Sequence, residues 1–293
     1  MALLPVNMGQ DLPTARLAAA LAGLVPGAPV VVMIHGFRFS PMVEGHSPHL
    51  HILAERPRPG CWKAVSWPRH LGLTGDRGLA IGYGWPARGS IWAALRRAEA
   101  AAADLGRLIT RLKALEPDRP LHLVGHSLGA RVGLLALRDL PPGAVQRAIL
   151  ISAALFRRET RALLETSPAA SAAQVINVTG RENLVFDLGL RLAAPLAGPT
   201  LGRGLDAPNW LDLPLDRLET LSALRDFGHR IPPPKAPVCH WSGYLRPGVF
   251  GLYRALLHRP AETPLPVLRA ALEPARRGYW PDFPLPFRPR TPS

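Results

Sequence analysis

Residues Leu121–Arg131, Leu-His-Leu-Val-Gly-His-Ser-Leu-Gly-Ala-Arg, constrain this chain more than any other stretch. Leu121, Leu123 and Val124 read as a short buried strand, and residues 130–140 carry a helical pattern. Between them lies Gly125-His126-Ser127-Leu128-Gly129, a G-x-S-x-G turn in the strand–turn–helix setting that gives such a motif meaning. A serine on this turn sits in a strained backbone conformation, and side chains at 125 and 129 would collide with the adjoining strand and helix. The turn lifts the Ser127 hydroxyl above the sheet edge as a candidate nucleophile. It also sets the amide of Leu128 at a helix N-terminus, where its unpaired N–H can hold a developing oxyanion.

The same alternation runs through the chain. Strands are expected at 3–6, 29–37, 78–85, 145–152 and 174–180, and helices at 14–24, 91–115, 158–166, 215–227 and 247–258, with a weaker helix near 264–272. The β-branched run Val30-Val31-Val32 suits a strand buried on both faces, which belongs to a parallel sheet covered by helices. It ends in His35-Gly36-Phe37, where the glycine lets the backbone bend and aim the amide of Phe37 into a site. Residues 38–77, rich in Pro, His and Trp, read as an irregular loop or lid-like insertion beside that site. Residues 193–216 read as loop and the Pro-rich stretch from Pro281 as a tail, leaving residues 1–280 as one α/β domain.

Composition narrows the function classes. The formal charge of +14 invites a nucleic-acid reading, yet Lys occurs only at 63, 113 and 235, and the arginines are scattered with no basic block or recognition motif. Nucleic acid is therefore not expected as a partner, whereas the charge suits peripheral contact with anionic membranes or acidic substrates. No apolar run approaches the length of a bilayer crossing, and the N-terminus lacks the pattern of a secretory leader. Cys61 and Cys239 stand in no metal spacing and read as free thiols, the expectation being a cytoplasmic protein. His46, His49 and His51 cluster, but no Asp, Glu or Cys frames them at a ligand spacing, so no metal is expected.

A serine hydroxyl needs a base within hydrogen-bond reach, and the base needs a carboxylate that fixes its tautomer. Downstream of the turn stand His229, His240 and His258. His240 lies in the short apolar segment Val238-Cys239-His240-Trp241 before Ser242-Gly243-Tyr244, and is preferred to His229, which precedes a Pro run. His258 reads as a helix cap.

Residues 31–37, Gly84-Trp85-Pro86, Gly125–Gly129 and His240-Trp241 together resemble bacterial serine hydrolases of the α/β-hydrolase superfamily, in a branch near lipases and esterases. The resemblance spans roughly residues 29–258 and departs from the lipase-type HGGG loop at His35-Gly36-Phe37-Arg38. It implies a mostly parallel sheet flanked by helices, a chain order of Ser, acid, His, and a second oxyanion donor from the amide of Phe37. The acid is then sought on the loop after the strand at 174–180, which offers Asp187, ranked first, and Glu182 as the alternative, with Asp206 and Asp212 behind. The expected activity is cleavage of a carboxylic ester through an acyl-enzyme, with no cofactor required. Thioesterase, acyltransferase, peptidase and non-catalytic binding readings share the same residues.

Overall fold

The computed structural model describes Leu3–Arg276; the expected tail from Pro281 lies outside these residues. Apolar runs of five or six residues form seven strands: β1 (Leu3–Asn7), β2 (Val30–Ile34), β3 (Leu79–Gly84), β4 (Leu121–His126), β5 (Arg147–Ile151), β6 (Gln174–Thr179) and β7 (Trp210–Pro214). They pair in the order β1-β3-β2-β4-β5-β6-β7, every pairing parallel. Helices cover both faces, as an all-parallel sheet requires. Alternation along β2 shows the division: Val30, Val32 and Ile34 pack with the helices at Thr14–Ala22, Ile91–Leu115 and Leu128–Leu135. Val31 and Met33 face the opposite core, built on the helices at Leu218–Asp226, Val249–His258 and Leu265–Arg276.

Register sets the site. Ile34 pairs with Gly125 across β2 and β4, so the turn after β2 and the turn after β4 leave the sheet side by side. His126 pairs with Ile151 of β5, which brings the end of β5 to the other flank.

Three elements differ from the sequence expectation. The stretch expected to be loop, 193–216, contains β7. Proline at its end and Asp212 in its middle disguise it. An edge strand tolerates proline, and Asp212 is buried because it accepts hydrogen bonds from Asn177 Nδ2 (2.9 Å), the Leu205 amide (2.9 Å) and Trp210 Nε1 (2.8 Å). The helix after the elbow stops at Leu135 rather than Leu140, giving way to i→i+3 turns ahead of Pro141-Pro142, whose rings disfavour the helical conformation before them. Residues 184–193, which begin in the stretch expected as the loop after the strand at 174–180, form a helix that carries Asp187. The insertion at 38–77 is irregular apart from short turns and the helix Trp67–His70, and it feeds the second core with Ile52, Leu53, Trp67, Leu71 and Leu73.

Candidate active site

Ser127 follows β4 directly and adopts φ 57°, ψ −122°, one of three non-glycine residues with positive φ among the described residues. Such a conformation costs on the order of 1–3 kcal/mol and persists only where surroundings hold it. Here the Ser127 amide donates to the Ile151 carbonyl (2.9 Å), and its carbonyl accepts from the amides of Ala130 and Ala154 (both 3.1 Å). The glycines are steric necessities. A Cβ on Gly125 would lie 2.6 Å from the Ala130 nitrogen, and one on Gly129 would strike the carbonyls of Ile34 and His35.

Gly36 closes on the same turn. A Cβ there would come within 2.9 Å of the His126 carbonyl and 3.0 Å of Ser127 Cβ, so the post-β2 loop can lie against the serine only with glycine at this position. His35 holds that loop rather than doing chemistry. The Trp85 amide donates to its Nε2 (3.0 Å), which makes Nδ1 the protonated nitrogen, and Nδ1 donates to the Gly36 carbonyl (2.9 Å). Trp85 Nε1 in turn donates to the His35 carbonyl (3.0 Å), which gives Gly84-Trp85-Pro86 its physical role. Burial pushes the His35 pKa down to about 3, so the ring stays neutral and the lock is insensitive to pH near neutrality. Among the described residues, the amides of Phe37 and Leu128 make no hydrogen bond to the protein, and both residues line the cavity over Ser127.

That cavity holds about 600 Å³. Its walls include Phe37, Phe39, Ile91, Phe186 and Leu190, with Ser127 and His240 on the same surface. Elsewhere, His229 lies away from it, its amide bonded to Leu224, and His258 bonds the Leu71 carbonyl through Nε2. The His46, His49, His51 group diverges: His49 bonds Asn7 Oδ1 (2.7 Å) and His51 contacts Cys61 Sγ (3.1 Å).

His240 is held on three sides. Its carbonyl accepts from His126 Nε2 (2.9 Å), which ties the histidine loop to the residue before the serine. Phe186 stacks on the imidazole with ring centroids 4.4 Å apart and planes 20° from parallel. Nδ1 lies 2.6 Å from Asn183 Oδ1. Burial, with the nearby His126 and Lys63, holds its pKa well below the usual histidine value, so the imidazole is neutral. With Nδ1–H donating to Asn183, the Nε2 lone pair is available to a proton.

Asn183, rather than the Asp187 expected from the sequence, is thus the side chain set against Nδ1 of His240. Asp187 sits on the first turn of the helix Leu184–Ala193, turned inward, and its carboxyl accepts hydrogen bonds from Asn183 and Thr200. A carboxylate on the amide's NH₂ end leaves Oδ1 for the histidine, so His240, Asn183 and Asp187 stand in line, with the amide between the ring and the carboxyl. Gly202 leaves room for this carboxyl, since a Cβ at 202 would strike it. Burial raises the Asp187 pKa to about 7 against the pull of its two donors. The alternative, Glu182, is also displaced: its carboxyl folds back over Gly180, 2.5 Å from where a Cβ would stand there, and does not line the cavity. Asp206 is exposed beside Arg269, and Asp212 serves β7.

Three participants were missed from sequence: Asn183, the tether from His126 and the stacking Phe186. A sequence points to a carboxylate as the orienting group, although an amide oxygen accepts from Nδ1–H in the same geometry. His126 was visible only as the variable position of the motif.

The profile of the alpha/beta hydrolase family matches residues 31–290. The chain belongs to the α/β hydrolase family. A search of curated proteins gives no match. Among solved structures the α/β hydrolase chain is similar to a Trichoderma reesei cutinase in complex with a phosphonate inhibitor, at 16% identity over 47% of this chain and 59% of that one, TM-score 0.32. It is also similar to MenH from S. aureus (15%, 64% and 85%, TM-score 0.33) and to the metagenomic carboxyl esterase MGS0156 (12%, 92% and 79%, TM-score 0.34). The chain thus spans little more than half the cutinase. Family membership supports hydrolase activity; similarity at these scores adds no substrate. Among the described residues no helix is long and apolar enough to cross a membrane.

Proposed function

We propose that this α/β hydrolase cleaves carboxylic esters through an acyl-enzyme on Ser127. The observation that carries the reading is the strained Ser127 elbow on the wall of an apolar cavity that a neutral His240, oriented at Nδ1, also lines. Ser127 Oγ attacks the ester carbonyl as His240 Nε2 takes its proton. The amides of Phe37 and Leu128 hold the oxyanion of the tetrahedral intermediate. The intermediate collapses, His240 returns the proton to the leaving alcohol, and a water activated by the same nitrogen then releases the acid and frees Ser127.

Asn183 fixes the tautomer through both steps. A neutral amide stabilises the transient imidazolium less than a carboxylate, and ionised Asp187 behind it supplies negative charge across one intervening hydrogen bond. The apolar walls suit an acyl chain better than a charged or peptidic group. Initial rates on p-nitrophenyl esters of two to twelve carbons, with the matching thioesters and anilides alongside, test the reading. Turnover of esters that Ser127→Ala abolishes supports it; turnover confined to thioesters or anilides, or unaffected by that variant, overturns it.

A further inference from the structure

The helix Leu184–Ala193 has its polarity reversed. Its inward residues are Asp187 and Leu190, while Leu184, Val185, Phe186, Leu188 and Leu192 face solvent. A surface helix of a folded domain ordinarily buries its apolar side and shows water its charged one. The apolar face continues beyond the helix. Leu192 is 70% exposed, Leu196 on the next turn 89%, and Trp92, whose Nε1 donates to the Ala193 carbonyl (2.9 Å), 56%. A contiguous exposed apolar surface of this kind marks a docking site.

Its surroundings are cationic. Arg191 lies in the last turn of the helix, Arg158 reaches the Leu196 carbonyl (3.3 Å), and Arg96 stands one turn beyond Trp92 on the exposed side of its helix. The carboxylates within residues 180–204 are Glu182 and Asp187, both buried, so no exposed acid in that stretch offsets these arginines. The chain as a whole carries +14. Apolar side chains flanked by arginines on an in-plane helix match the boundary of an anionic bilayer, where acyl chains take the leucines and lipid phosphates the guanidinium groups. The face is also continuous with the cavity, because Val185 and Phe186 belong to both.

We propose that this face seats the protein on anionic lipid surfaces, so that the cavity opens on the leaflet and its substrate is an ester drawn from it. The nature of that cargo rests on the esterase reading above; the docking does not. The test uses full-length protein carrying Ser127→Ala, which binds without consuming lipid. Co-sedimentation is measured with vesicles of equal phosphatidylglycerol and phosphatidylcholine, and with vesicles of phosphatidylcholine alone.

Binding to the anionic vesicles is expected to be at least tenfold tighter and to weaken with added salt. Adding Leu188→Asp, Leu192→Asp and Leu196→Asp is expected to reduce it at least tenfold. None of these three residues lines the cavity, so the same triple variant with Ser127 intact is expected to hydrolyse a short soluble ester within about twofold of the parent, which also reports its folding. Absence of sedimentation with either vesicle overturns the proposal, as does undiminished binding by the triple variant. Concentration-dependent self-association that the triple variant abolishes, without vesicle binding, assigns the face to a protein interface instead. Failure of the esterase reading would show as a Ser127 enzyme inactive on every ester while vesicle binding persists.

Discussion

The two halves of the candidate site are built by different means. On the serine side, strand register, three glycines and a strained φ do the positioning through backbone hydrogen bonds and steric exclusion, with the His35–Trp85 side-chain lock added on the loop after β2. On the histidine side, His240, Asn183 and Asp187 come from connections after β6 and β7 and are placed by side-chain hydrogen bonds and ring stacking. The backbone-built half fixes position whatever the surface loops do. The side-chain-built half fixes protonation, and it can change its orienting group without changing the fold.

The largest effects belong to the reacting groups. Ser127→Ala is expected to remove ester turnover, a loss of about 10⁶-fold in kcat, and His240→Ala to approach it, as in other serine hydrolase machinery. His229→Ala should stay within about twofold; a large loss there would move the base away from His240. On the serine side the fold itself resists change. Gly129→Val forces a side chain into the carbonyls of Ile34 and His35, and the expected outcome, read by thermal melting, is failure to fold or a loss of several kcal/mol.

The histidine side should yield graded effects with intact folding. Asn183→Ala leaves Nδ1 without its acceptor and should lower kcat by about 10²–10³-fold at unchanged KM, less than the roughly 10⁴-fold seen when a direct carboxylate partner is replaced. Asp187→Asn should cost about tenfold, since Asn183 still faces the histidine. An Asp187→Asn loss larger than that of Asn183→Ala would restore Asp187 as the direct partner. Glu182→Gln, remote from the imidazole, should stay within about threefold.

The same comparison has a pH signature. Burial raises Asp187 to about 7 from an ordinary 3.8, so the folded protein keeps a proton that the unfolded chain releases. Its contribution to stability is greatest below about pH 4, declines as pH rises toward 7 and is level above. The buried neutral histidines, His35, His126 and His240 among them, act in the opposite sense in both proteins, so the melting-temperature difference between wild type and Asp187→Asn, measured from pH 4 to 8, should move in the variant's favour as pH rises toward 7 and then level. The kinetics run the other way: because His240 is already neutral, kcat should rise through about pH 7 as Asp187 ionises, and Asp187→Asn should lose that step.

Legibility in the sequence followed the same divide. Ser127, Gly125, Gly129 and the Phe37 loop could be read because backbone geometry admits few residue types at those positions. The helix at Ile91–Leu115 was equally plain, with apolar spacing and a Ser90 cap whose hydroxyl accepts from the Ala93 amide. Asp187 reads from the sequence as the acid of this connection, whereas the structure sets Asn183 between it and the ring, because spacing along a chain says nothing about which of the two a helical turn aims at the imidazole. β7 was hidden by a buried aspartate that pairs only in three dimensions. The reversed helix at Leu184–Ala193 could not be told from a core segment, since an apolar pattern does not declare which side faces water.

The central claim is that the backbone-built half delivers Ser127 as the nucleophile. Labelling the wild-type protein with a fluorophosphonate and mapping the adduct by peptide mass spectrometry tests it most directly. The expected result is one adduct on Ser127, formed far more slowly in His240→Ala and at an intermediate rate in Asn183→Ala. An adduct on another residue, or labelling that persists in a folded Ser127→Ala protein, would contradict it.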